Sequence, residues 1–127
     1  MKPASLFLAL AFALICRLPT PAAEAQSQPQ RVLFVGSKGS PRAEAFENFL
    51  KQHFAKVETA NRLGFDPAQA RDFDVVLLDW PQNGGKEPFP PTQSPFGVRE
   101  QWGKPTVLLG SAGLHLAIVW KLKGGSG

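Results

Sequence analysis

The sequence predicts an α/β domain built as a doubly wound, three-layer parallel sheet of about four strands. Three observations carry that prediction. Short apolar runs of strand length stand at residues 31–36, 56–60, 75–79 and 105–110. Helix-start signals lie between them, at Ser40-Pro41 and Asp66-Pro67, and again after the last run at Ser111. Strands that alternate with helices need crossover connections, which are right-handed and give a parallel sheet covered on both faces, with ligands expected outside the strand C-termini.

The first strand is Arg31-Val32-Leu33-Phe34-Val35-Gly36, a continuous apolar run ending at glycine, as expected of a strand buried on both faces. Ser40 can cap the free N–H groups of the next helix, and Pro41 is tolerated in its first turn. Along that helix Phe46, Phe49, Leu50, His53 and Phe54 form an apolar stripe, with Glu44, Glu47, Lys51 and Gln52 toward water. Residues 56–60 alternate weakly and read as a short second strand. Asp66-Pro67 opens a helical turn or two, and Val75-Val76-Leu77-Leu78-Asp79 is the strongest strand signal in the chain. Residues 80–104, rich in Pro and Gly, read as a long loop with one helical turn near Val98–Trp102. A fourth strand at 105–110 and an apolar helix at 112–122 complete the series, which makes residues 31–122 the domain.

The chain has 127 residues, enough for one domain, and its 43% hydrophobic content with three Trp and ten Phe is enough for a core. Residues 1–25 read as a signal peptide: Lys2 gives a positive start, residues 4–15 are an apolar run, and Ala23-Glu24-Ala25 is a small-x-small cleavage pattern. The run falls short of the roughly 20 residues of a spanning helix, so no stable membrane insertion is expected after cleavage. The mature protein is expected to be secreted or periplasmic and to start at Gln26, with residues 26–30 as a polar lead-in and 123–127 as a flexible tail. Removing Lys2, Arg17 and Glu24 leaves 12 basic side chains against 9 acidic ones, scattered without a stripe, so no nucleic-acid partner is expected. Cys16 leaves with the signal, which excludes disulfides and thiolate chemistry from the mature chain.

Two flavodoxin-like families resemble this pattern. Asp74-Val75-Val76-Leu77-Leu78-Asp79-Trp80-Pro81 and Lys104-Pro105-Thr106-Val107-Leu108-Leu109-Gly110-Ser111-Ala112 resemble the third and fourth strands of response-regulator receiver domains. Receivers carry an acid pair after strand one to hold Mg²⁺, and here those positions are Gly36-Ser37-Lys38. Residues 31–122 also resemble the class I glutamine amidotransferase-like superfamily, including its ThuA-like branch. The resemblance rests on the first strand opening to a Gly-containing loop, Phe65-Asp66 ahead of a short helix, the strand ending at Asp79, and the turn Leu109-Gly110-Ser111-Ala112-Gly113. That turn resembles the G-x-C-x-G nucleophile elbow, with Ser111 where cysteine would be and Leu109 where the first glycine would be. The histidine and acid that serve the nucleophile belong to a later part of that fold. ThuA-like members generally lack the cysteine as well.

Each candidate residue has two readings. Ser111 is either a nucleophile exposed on a strand-to-helix turn or an N-cap, and His115, one turn along the same helix, is not placed as triad bases usually are. Gly36, Ser37, Lys38 and Gly39, with Ser40, form a strand-to-helix turn whose N–H groups can cradle an anion, or an ordinary turn. Asp79 stands where chemistry in this architecture sits, or caps a loop, and His53 reads as a partly buried helix residue. Trp80, Phe89, Phe96 and Trp102 make either a lid or a cover folded on the sheet end. No metal and no cofactor site can be argued, because the two histidines lie in separate elements.

The sequence thus predicts an exported, non-catalytic module that binds a small molecule or a protein at the strand C-terminal edge, through the 36–40 turn, Asp79, Gly110 and His115. Its rival is a serine hydrolase using Ser111. In a doubly wound sheet of order 2-1-3-4 the last strand, uncharged at Val107-Leu108-Leu109, is expected at an edge, where a fifth strand would normally follow. Truncation, a recoded stop and a partner strand from another subunit all remain open explanations, the last making an oligomer through the 105–110 edge.

Overall fold

The computed structural model describes residues 27–82 and 86–123. The expected signal peptide and residues 124–127 of the expected tail lie outside the described residues. Four strands and two helices follow in the order β1 (Gln28–Gly36), α1 (Pro41–Lys51), β2 (Phe54–Asn61), β3 (Val75–Trp80), β4 (Thr106–Gly110) and α2 (Ala112–Val119). Single 3₁₀ turns at Pro67–Ala70 and Arg99–Gln101 interrupt the connections. The sheet is parallel throughout, in the order β2-β1-β3-β4, so the flavodoxin-like expectation holds in strand number, direction and order.

Alternate residues of the central strands feed two separate cores, as a period of two requires. Val32, Phe34 and Val57 pack with Ala43 and Leu50 of α1 on one face. On the other, Leu33, Val35, Val76 and Leu78 pack with Phe65, Ala70, Phe73 and Phe96 and with Ala112 and Leu116 of α2. Both clusters, with the side chains packed against them, lie between Val32 and Trp120. The long loop is therefore part of the core: Phe96 is buried, stacks on Trp102 with ring centroids 3.9 Å apart, and meets Phe65 edge-on at 5.9 Å. Phe89, by contrast, stays exposed. Of the four aromatic residues placed in the loop, Trp80 belongs to β3 and Phe96 and Trp102 fold inward.

Several expected boundaries move. Gln28–Gln30, expected as lead-in, already belong to β1, where Gln28 N–H donates to the His53 carbonyl (2.6 Å). In α1, Ser40 caps as expected, its hydroxyl accepting from Ala43 N–H at 3.1 Å. The apolar stripe is narrower than expected. Ala43, Phe46 and Leu50 face the sheet, Phe49 lies about a hundred degrees round the helix and is 56% exposed, His53 is exposed after the helix, and Phe54 opens β2.

Helix α2 ends at Val119 rather than Leu122, and the reason is local. Lys121 takes a left-handed conformation (φ 50°), Leu122 N–H bonds the Ala117 carbonyl (2.9 Å) and Lys121 N–H bonds that of Ile118 (3.2 Å). This is the helix-ending double bond usually built on glycine. Ser111 precedes α2 but its hydroxyl does not cap it, contrary to the N-cap reading, because its backbone has turned out of the extended conformation an N-cap uses (φ −90°, ψ 11°).

Candidate functional site

The strand C-termini bring the predicted residues together in two groups, one on each side of the sheet. On the α1 side, Asp79, next to last in β3, has its carboxylate buried, and Arg42 in the first turn of α1 reaches down to it. Arg42 Nε donates to Oδ2 at 2.8 Å and Nη2 to Oδ1 at 3.0 Å, a two-pronged pair whose arginine is half exposed. Gly36 lies beside this pair. A Cβ there would meet Phe34 Cε1 at 2.7 Å and Asp79 Cβ at 3.4 Å, so space rather than backbone freedom calls for glycine.

The turn that follows is satisfied from within. Lys38 N–H donates to Asn61 Oδ1 (3.0 Å) and Ser40 N–H to the Ser37 carbonyl (3.0 Å). Ser37, Lys38 and Gly39 are exposed, with Gly39 at φ 80°.

On the α2 side Trp80 is the centre. Its indole is flanked by the Arg62 guanidinium, 4.5 Å from the ring centroid, and by the His115 ring, edge-on at 4.4 Å. Arg62, directly after β2, is buried and paired with Glu87, whose second oxygen accepts from Trp80 Nε1 at 3.2 Å. Phe89 stands 6.1 Å from His115. Two buried nitrogens in this cluster, Arg62 Nε and His115 Nδ1, have no hydrogen-bond partner among the described residues. Burial, and then the nearby Arg62 charge, push the His115 pKa below its usual value, with Glu87 opposing. The imidazole is therefore neutral near pH 7.

Gly110 (φ 62°) brings β4 close to Pro81, and Ser111 N–H bonds the Trp80 carbonyl at 3.1 Å, which ties the turn to the cluster. The Ser111 hydroxyl makes no hydrogen bond to His115 among the described residues. His115 instead turns its ring onto Trp80. No group of three His, Cys, Asp or Glu able to hold a metal ion occurs among the described residues. At the opposite end of the sheet, an open depression of about 760 Å³ is lined by residues including Arg31, Asp74 and Lys104. Those charges are already engaged: Asp74 pairs with Arg31, and Lys104 Nζ donates to the Arg71 and Phe73 carbonyls.

Sequence reasoning named Gly36, Asp79, Gly110, Ser111 and His115 as candidates but did not single out Arg42, Arg62 and Glu87, which pack beside them. Arg42 and Asp79 are 37 residues apart and Arg62 and Glu87 are 25 apart, so no local pattern links them. The one available signal was position: Arg62 lies two residues past the strand predicted at 56–60, near where side chains of this architecture reach the ligand edge. No protein-family model matches the chain, and neither the curated proteins nor the solved structures include one that matches it.

Proposed function

We propose that this chain is an exported binding module, akin to the ThuA-like branch of the amidotransferase-like superfamily, that takes a small polar molecule beside Trp80 at the strand C-terminal edge. One observation carries the reading: Arg62 and His115 are both buried, both lie against Trp80, and each keeps a nitrogen without a partner among the described residues. An unmet buried polar atom costs about 1–3 kcal/mol, a standing incentive to take a partner. A ligand oxygen can accept from Arg62 Nε–H, and a ligand hydroxyl can donate to a neutral His115 Nδ1. Glu87 already holds the other side of Arg62, so the ligand has to fit beside that carboxylate.

The hydrolase reading through Ser111 is the weaker proposal, because the His115 ring is turned onto Trp80 and no base bonds the Ser111 hydroxyl among the described residues. The Trp80 indole N–H resonance reports on the cluster directly. Glycolate, which carries a carboxylate and a hydroxyl, is expected to shift it at millimolar concentration in the wild type and not in Arg62→Gln. A resonance unmoved by glycolate, inorganic phosphate and glucose alike refutes the small-molecule site. Export is tested by N-terminal sequencing of protein recovered outside the cytoplasm, where a first residue of Gln26 is expected and a retained Met1 contradicts it.

A further inference from the structure

The open edge of β4 has the features of a surface made to meet a copy of itself. From Pro105 to Trp120 the chain has no Asp, Glu, Lys or Arg. Within that stretch Val107 is 46% and Leu108 44% exposed on the last strand of the sheet, and Leu114 of α2 is 52% exposed. A natural sheet edge is usually blunted by charge, proline or a bulge, and β4 has none of these within Thr106–Gly110.

The hydrogen bonds show which backbone groups of β4 face β3 and which face away from it. Val76 N–H bonds the Pro105 carbonyl (3.0 Å) and Ser111 N–H bonds the Trp80 carbonyl (3.1 Å). In a parallel ladder that alternation turns residues 105, 107, 109 and 111 toward β3 and leaves Thr106, Leu108 and Gly110 with N–H and C=O directed away from it.

We propose that two copies of this chain pair through β4 about a two-fold axis at Leu108, joining their sheets into one. A two-fold axis makes the joined edge strands antiparallel. With the axis at Leu108, that residue faces its counterpart as a hydrogen-bonded pair and Thr106 faces Gly110 of the other copy, so every outward backbone group finds a partner. Val107 lies opposite Leu109 of the other copy on the α1 side, apolar against apolar. Like charges do not meet, since Lys104, the nearest cation in sequence, is drawn back onto the Arg71 and Phe73 carbonyls. This self-complementarity favours a second copy over an unrelated strand.

The test uses the chain from Gln26 onward, since both cores lie downstream of it, with light scattering to give the mass. The wild type is expected at twice the monomer mass. Leu108→Lys and Leu108→Glu are each expected to run as folded monomers, because like charges would sit face to face on the axis, and an equimolar mixture of the two is expected to recover the dimer. Near-ultraviolet circular dichroism of the tryptophans checks that both variants keep the native fold. A monomeric wild type, a larger aggregate, single variants that stay dimeric, or folded variants that fail to reassociate when mixed would each overturn the proposal.

Discussion

Removing Arg42 should hurt this fold far more than neutralising Asp79, although each change breaks the same ion pair. The pair is lopsided: the Asp79 side chain is 4% exposed and that of Arg42 49%. In Arg42→Ala a carboxylate stays buried with both of its donors gone. Breaking a fully buried pair in this way costs about 3–5 kcal/mol, and the access water gains once the half-exposed arginine has left reduces this to roughly 2–3 kcal/mol. In Asp79→Asn the shape is kept, one oxygen still accepts from the guanidinium, and the arginine retains water, so a cost of about 1 kcal/mol is expected. Urea unfolding followed by tryptophan fluorescence reads both. With roughly 4–8 °C of Tm per kcal/mol in a domain of this size, Arg42→Ala should melt some 10–20 °C below the wild type. Equal losses in the two variants, or a larger loss in Asp79→Asn, would show that the burial asymmetry does not govern the pair.

Gly36→Ala is expected to lose about 1–3 kcal/mol in urea titration, since the added methyl meets the buried Phe34 ring at 2.7 Å, whereas an unchanged midpoint would mean the ring yields freely. Phe96→Ala should cost about 3–5 kcal/mol and weaken the Trp102 near-ultraviolet signal, because Phe96 anchors the long loop to the core. Lys121→Gly should stabilise by up to about 1 kcal/mol by relieving the left-handed backbone at the end of α2, and a loss of stability would contradict that account. For His115 the native pKa lies below the unfolded value near 6.5, so the unfolded chain binds more protons, and stability should fall as pH drops through that value toward the native pKa. In His115→Gln the same pH series should be flatter over this window, and an unchanged slope would remove His115 as its source.

How much of this was legible in the sequence differs element by element. The runs 31–36 and 75–79 predicted their strands because strands buried on both faces must be apolar throughout. Ser40-Pro41 located the start of α1 because a cap is a contact over three residues. Gly36, Asp79 and Ser111 could be placed at the sheet's C-terminal end because each stands where an apolar run stops. All of these rest on neighbours in the chain, which is what a sequence displays.

What only the tertiary structure decided depends on residues far apart. Phe49 and His53 satisfy helical spacing, but the arc of α1 that meets the sheet is set by where β1 and β2 lie, and it passes through Ala43 and Leu50 instead. Phe96 and Trp102 sit in an irregular stretch without periodicity, and packing against Phe65, rather than local pattern, makes them core. Composition does not reveal that Asp79 is claimed by Arg42 or that Arg62 is buried against Trp80, because charged side chains are buried only where the fold supplies a partner from a distant part of the chain. Sequence by itself therefore determined the strands, their order and which residues stand where the strands end. The folded chain decided which side chains meet there, since a strand is specified by its own residues and a contact by two distant ones.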